Sequence, residues 1–194
     1  MLNYASTFAV TYLLSIYLQV VKGYSTQIAG VMLIFMPVVQ AVFSPFMGRL
    51  SDRIAPYKLA CSGMAVGAFG LFCLIFLKEE TPVWLLMVVL SILGLGFALF
   101  SAPNTNEIMS RVSRNDLSIA NCILSSMRTG GQTVSMAVVT IIVGILMNGQ
   151  TLNDAAPDVL TSTIRSCFFV FMIMCIIGLF LSISRKSGKK TQKS

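Results

Sequence analysis

The sequence predicts an all-α protein in which a bundle of six helices spans a membrane. Of its 194 residues, 56% are hydrophobic and only 11% are charged, and the mean hydropathy is +0.83. A soluble domain carries about a quarter charged residues, and one of this size could not bury so much apolar surface. The apolar runs are about twice the length of a barrel strand and lack period-2 alternation, which favours helices over a membrane β-barrel.

Stretches with few charges mark the predicted helices. A membrane-spanning helix needs about 20 mainly apolar residues, and an unpaired charge in the hydrocarbon costs several kcal/mol. The predicted helices cover approximately residues 2–21, 26–47, 59–77, 83–102, 118–147 and 166–183. Together they form one bundle over residues 1–184, followed by a basic tail over 185–194.

The boundaries of these helices follow from local signals, taken in order. The first helix stops before Lys22. The second carries Pro37 and Pro45, where we expect kinks rather than ends, because neighbouring helices can satisfy the freed carbonyls. The third and fourth helices stop before Lys78 and Pro103, respectively. The fifth is the longest and contains a single charge, and the sixth ends where the basic tail begins.

Three glycines in the third helix, Gly63, Gly67 and Gly70, form a face of small residues. Such a face lets two helix backbones approach closely in a membrane. We therefore predict that it packs against a neighbouring helix rather than serving a chemical role.

The distribution of basic residues predicts the orientation of the bundle. Cytoplasmic loops are enriched in Lys and Arg. One set of loops with the tail holds ten of the 14 basic residues, the other holds Lys22, Lys78 and Arg165, and Arg128 lies inside a helix. We expect a multi-pass protein of the plasma membrane with both termini in the cytoplasm. The net charge of +7 then reflects topology, and we expect no nucleic-acid partner.

The chain has few groups for catalysis or ligation. It contains no histidine, its five cysteines form no C-x-x-C pair, and no phosphate-binding loop is present. We expect no catalytic residue, no metal and no cofactor, and hence no enzyme. All seven acidic residues lie in loops or at helix ends, so that a carboxylate for proton coupling would come from another segment.

Two polar stripes inside the predicted helices are candidates for lining a solute path. In the fifth helix, Arg128 and Gln132 lie one turn apart on the same face. An arginine there should face the protein interior or water, although snorkelling to the inner interface is the alternative, because its depth is not settled. In the first helix, Tyr4, Thr11 and Tyr12 are polar side chains that a helix surrounded by lipid would not need.

The segment after the second predicted helix reads Gly48-Arg49-Leu50-Ser51-Asp52-Arg53. It resembles the glycine, aspartate and basic-residue loop of the major facilitator superfamily, in which it recurs in both six-helix halves. Gly48, Asp52 and Arg53 match, whereas Ala55 stands where glycine is usual. The segments 17–25, 94–103 and 120–131 are similar to the C-terminal half of the fourteen-span drug:proton antiporter branch, so that the resemblance covers nearly the whole chain.

The resemblance implies a function. It implies one half of a major facilitator fold, made of two three-helix repeats, in a transporter that exports amphipathic small molecules in exchange for protons by alternating access. Gly48, Asp52 and Arg53 would form a gating loop that contacts helix ends and the other half. The implied partners are a small-molecule substrate, protons, the lipid bilayer and an N-terminal six- or eight-helix half.

The position of Met1 leaves an alternative open. An apolar helix follows it at once without a basic flank, so we expect Met1 to be internal to a longer protein or the start of a truncated frame, although a genuine six-helix protein remains possible. A truncated, non-transporting membrane remnant or scaffold is the alternative function. The identity of the substrate stays open, because cavities for amphipathic compounds have generic apolar walls.

Overall fold

The computed structural model describes the backbone of residues 2–78, 80–147 and 157–190, with all side chains in these ranges except those of residues 2, 52, 157 and 183–190. Within these ranges, six segments are long and apolar enough to span a membrane, which confirms the predicted helical bundle. The helices are α1 (Leu2–Ile16, extended by a π-helical turn, Tyr17–Val21), α2 (Thr26–Leu33), α3 (Phe35–Arg53), α4 (Pro56–Ile75), α5 (Val83–Ser110), α6 (Leu117–Leu146, after a short 3-10 turn, Arg114–Asp116) and α7 (Pro157–Lys190).

The second membrane span consists of α2 and α3, which meet at Ile34. Pro37 has no backbone N–H and therefore leaves the carbonyl of Leu33 without its helical donor. The neighbouring helical bonds remain, with Ile34 N donating to Gly30 O and Val38 N donating to Ile34 O, both at 3.0 Å. The chain thus continues across the proline as one span, as predicted from its sequence.

Three helices extend well beyond the stretches of low charge. α3 continues to Arg53, α5 passes through Pro103 to Ser110, and α7 covers Pro157–Lys190. A low charge content marks the part of a helix that lies in hydrocarbon, whereas backbone hydrogen bonding continues into water. Consequently the segment Gly48–Arg53, expected as a loop, forms the last turns of α3.

The helices α4 and α5 pack backbone to backbone. A Cβ atom built on Gly63 would lie 2.6 Å from the backbone nitrogen of Phe100 and 2.7 Å from the carbonyl oxygen of Gly96. At Gly70, such an atom would lie 2.6 Å from the side chain of Leu93. The close approach predicted for this glycine face is therefore confirmed at Gly63 and Gly70.

The remaining contacts place α5 between α3 and α4, α4 against α7, and α1 against α6 and α7. The spans of α1, α4 and α5 each have 44% of their most apolar window buried, compared with 11% for the α2–α3 span and 17% for α6. Two of the helices beside the cavity described below are therefore the least covered in the bundle.

One end of the bundle is held by hydrogen bonds to the chain that follows α4. The hydroxyl of Tyr17 donates to the carbonyl oxygen of Lys78 at 2.6 Å, and Nε of Arg165 donates to the carbonyl oxygen of Leu77. Carbonyls at a helix end lack intrahelical donors. These two side chains supply such donors and connect α1 and α7 to the end of α4.

Candidate functional site

A cavity of about 270 Å³ opens between α1, α3, α5 and α6. Polar side chains come mainly from α1 and α6, and aromatic side chains come from α1 and α5. Its lining consists of Asn3, Tyr4, Thr7, Phe8, Thr11, Gln40, Phe97, Phe100, Ser101, Arg128 and Gln132.

The structure brings four of the five predicted path residues to this cavity: Tyr4, Thr11, Arg128 and Gln132. Tyr12 does not line it and instead packs, partly buried, against the apolar core. The reason is helical geometry, because one residue beyond Thr11 corresponds to a rotation of about 100°.

Arg128 lies in α6 against an aromatic side chain of α1. Its guanidinium carbon lies 5.2 Å from the centroid of the Tyr4 ring, a cation–π arrangement. The Tyr4 ring in turn meets the Phe100 ring edge-on, with centroids 5.9 Å apart. Arg128 is eleven residues beyond the start of α6, which corresponds to about 17 Å along the helix axis. Its side chain is exposed and lines the cavity.

Arg128 makes no hydrogen bond or ion pair with any part of the chain that the structure describes. A guanidinium presents five N–H donors and no acceptor. Arg128 therefore brings hydrogen-bond donors to the cavity lining, while Tyr4 covers part of the charged group.

The α1 side of the cavity contains an unusual amide. The Asn3 side chain is 2% exposed, and its Nδ2 atom lacks a hydrogen-bond partner among the described residues. By contrast, the hydroxyls of Thr7 and Thr11 donate to carbonyls one turn back in α1, those of Asn3 and Thr7, at 3.0 and 3.3 Å. A buried amide nitrogen without an acceptor is costly, which makes Asn3 a candidate donor to a bound solute.

Several lining residues on α3 and α5 are not among those predicted from the sequence, namely Gln40, Phe97, Phe100 and Ser101. Gln40 is a single polar residue within an apolar run, and this isolated polarity is the signal that could have identified it. The two phenylalanines carry no such signal, because aromatic residues in membrane helices usually face lipid or core.

A second hollow of about 770 Å³ lies between α3 and α5. Ser101 lines both it and the first cavity, and Gly48 lines its other end. There, Ser51 Oγ donates to the Gly48 carbonyl at 2.6 Å, and Asn106 Nδ2 donates to Ser51 Oγ at 3.4 Å. The two hollows thus meet at Ser101, and the second extends along α3 as far as Arg49, one turn before the helix ends.

The predicted gating residues occupy the last turns of α3. Gly48 faces α5, since a Cβ built there would lie 3.4 Å from Asn106 Nδ2. Arg53 is exposed in the final turn, where its charge complements the helix dipole. The side chain of Asp52 lies outside the described side chains.

Comparison with known families decides the classification. A family model described as "Major Facilitator Superfamily" matches residues 1–194. The chain belongs to the major facilitator superfamily. It is accordingly an integral membrane protein of a transporter family, and its six spans form a helical bundle of the kind this superfamily builds.

Several curated members of the superfamily are similar to the chain. The riboflavin transporter RibZ of Clostridioides difficile is 26% identical over 190 residues, covering 96% of the chain and 41% of RibZ. The multidrug resistance protein Stp of Mycobacterium tuberculosis is 30% identical over 145 residues, covering 73% of the chain and 27% of Stp. The lincomycin resistance protein LmrB of Listeria innocua is 26% identical over 185 residues, covering 91% of the chain and 39% of LmrB. The chain therefore spans less than half the length of these relatives.

Proposed function

We propose that the chain forms the C-terminal six-helix half of a proton-coupled multidrug efflux antiporter in the plasma membrane, which exports amphipathic small molecules by alternating access. The observation that carries this proposal is the cavity in which polar side chains of α1 and α6 meet the aromatic side chains of α5. A cavity with apolar walls and a few converging polar groups is typical of a site for small amphipathic solutes.

The comparisons support the same proposal. Stp is named a multidrug resistance protein and LmrB a lincomycin resistance protein, which accords with export of small molecules. Alternating access requires two bundles that rock about a site at their interface. The partly covered α2–α3 and α6 spans supply a surface for such a partner, and we assign that place to an N-terminal six- or eight-helix half.

Proton coupling would depend on that second half. Arg128 is the charged residue in the cavity lining, and a guanidinium has donors but no acceptor. Among the lining residues, none is a carboxylate or histidine that could exchange a proton near neutral pH. We therefore place the coupling carboxylate on the N-terminal half.

The proposal is tested by the substitution Arg128→Ala in the complete transporter, with efflux measured in cells that contain equal amounts of membrane-inserted protein. The matched control is Arg114→Ala, which removes an exposed arginine near the start of α6, outside the cavity lining. We expect efflux to fall in the first variant and to persist in the second. Undiminished efflux at normal abundance in Arg128→Ala would remove this residue from the mechanism.

A second measurement separates transport from a scaffold role. The chain is expressed alone and also joined to the coding sequence found immediately upstream. Efflux that requires the joined form supports the proposal. If neither form moves any solute although both insert, the chain is a non-transporting scaffold.

A further inference from the structure

We infer that the cavity selects aromatic solutes that carry an anionic or acceptor-rich group, and that it disfavours organic cations. This inference rests on the proposed function, because it treats the cavity between α1, α3, α5 and α6 as a solute site. It adds the chemical class of the solute, which follows from the charge and the hydrogen-bonding groups of the lining.

The charge of the lining is positive. Of the eleven lining residues, Arg128 carries a charge and none is acidic. The acidic residues with described side chains, Glu80, Glu107, Asp116 and Asp158, lie at or near helix ends, and Glu107 is paired with Arg111 at 2.6 Å. An organic cation in this cavity would meet a like charge without a compensating carboxylate from the lining.

Donors on two lining residues have no acceptor among the described residues. Arg128 has no hydrogen-bond or ion-pair partner among the described residues, and Asn3 Nδ2 is buried without an acceptor. Filling these donors requires acceptor atoms, and a guanidinium prefers planar acceptors such as a carboxylate or two adjacent carbonyls. The Asn3 amide is uncharged, but its unpaired donor also needs an acceptor atom, so that it favours the same kind of solute.

The hydroxyl groups of α1 do not make the cavity favourable for an organic cation. Thr7 and Thr11 donate their protons to backbone carbonyls, so each offers only acceptor lone pairs to the cavity. Neutral donors on a solute can bind there, but a full positive charge gains no ionic partner from a hydroxyl.

The walls of the cavity favour aromatic solutes. Tyr4 and Phe100 meet edge to face with centroids 5.9 Å apart, and Phe8 and Phe97 also line the cavity. Aromatic groups prefer such edge-to-face and offset arrangements with one another. A volume of about 270 Å³ lies near the lower end of typical ligand pockets, which suits one small fused-ring group within this half.

The test uses two probes with the same rings and opposite charge, 2-naphthoate and 2-naphthylmethylammonium. Their binding to the full chain in nanodiscs is measured by equilibrium dialysis, and binding to empty nanodiscs of the same lipid composition is subtracted. We expect 2-naphthoate to bind about tenfold or more tightly than the cation, since charge-assisted bidentate bonds to an arginine are strong. Equal binding, preference for the cation, or no saturable binding of 2-naphthoate overturns the inference.

Three variants locate the selectivity. Gln132→Glu adds a carboxylate one helical turn from Arg128 with nearly unchanged shape, and we expect it to bring the ratio of affinities towards one. Arg128→Lys keeps the positive charge without the planar pair of donors and should retain a smaller preference for 2-naphthoate. Arg114→Gln, outside the lining, should leave the ratio as in the wild type. An unchanged ratio in Gln132→Glu, or a ratio of one in Arg128→Lys, overturns the assignment to this cavity.

Efflux by the complete transporter distinguishes a failure of this inference from a failure of the proposed function. If the transporter exports 2-naphthylmethylammonium in preference to 2-naphthoate, the efflux function stands and the inference about the solute class fails. If the chain prefers 2-naphthoate in nanodiscs but the complete transporter exports no solute of either charge, the selectivity stands and the proposed efflux function fails.

Discussion

The hydroxyl of Tyr17 donates a hydrogen bond to the carbonyl oxygen of Lys78 at 2.6 Å, although 61 residues separate the two in the chain. Tyr17 lies in the π-helical turn at the end of α1 and is 1% exposed. The bond therefore connects the first span to the chain that leaves the third, next to the bond from Arg165 to Leu77.

We predict that Tyr17→Phe destabilises the bundle by about 1 kcal/mol, because the bond from α1 to the carbonyl of Lys78 is lost, while the ring and the bond from Thr81 N to the same carbonyl remain. The free energy of unfolding is measured by titration with denaturing detergent in mixed micelles. Tyr24→Phe is the matched control, since no hydrogen bond of the Tyr24 hydroxyl is found among the described residues. Equal stability of the two variants would contradict the prediction.

We predict that Gly63→Ala costs about 1–3 kcal/mol of stability, the usual range for overpacking. The added methyl group would meet backbone atoms of Phe100 and Gly96, which can move only if α4 and α5 separate. Gly67→Ala, in the same helix, has no atom within 4 Å of the added Cβ and serves as the control. The same detergent titration measures both, and a Gly67 variant as unstable as the Gly63 variant would refute the packing explanation.

We predict that Asp52→Asn slows efflux by the complete transporter without reducing its insertion into the membrane. The expectation follows from the resemblance of Gly48, Asp52 and Arg53 to a gating motif, and from the hydrogen bonds of Ser51 and Asn106 that join α3 to α5 beside it. Initial rates of efflux and the amount of protein in the membrane are measured together. Wild-type rates in this variant would count against a gating role.

The predicted orientation is tested with single cysteines in a chain whose five native cysteines have been replaced. We expect Lys78→Cys to react with a membrane-impermeant maleimide in intact cells, because it lies on the side with few basic residues. Arg114→Cys should react only after the membrane is permeabilised. The reverse pattern would show that the bundle has the opposite orientation.

Much of the fold could be predicted from the sequence because lipid imposes a simple rule on charge. The six spans appear as stretches with few charges, and the glycine face of α4 appears as three small residues one turn apart. The ends of the helices could not be located in this way. Hydrogen bonding carries α3 through Arg53 and α5 through Pro103, beyond the part that the hydrocarbon constrains.

The cavity was predictable where several polar residues share one helix face. Two such faces line the cavity, one with Arg128 and Gln132 on α6 and the other with Tyr4 and Thr11 on α1. The α5 wall was not predictable, because Phe97 looks like any apolar membrane residue until its neighbours in space are known. The Asn3 amide acquires its significance only from burial without a partner, a property of the packed bundle.

The contact between Gly63 and Gly96 also bears on the order of assembly during synthesis. These glycines belong to consecutive spans joined by a short connection, so α4 and α5 can pair as a hairpin once both have left the ribosome. The helix α1, in contrast, packs on α6 and α7, which are synthesised after α5. We expect the α4–α5 hairpin to assemble in the nascent protein before α1 forms its contacts with α6 and α7.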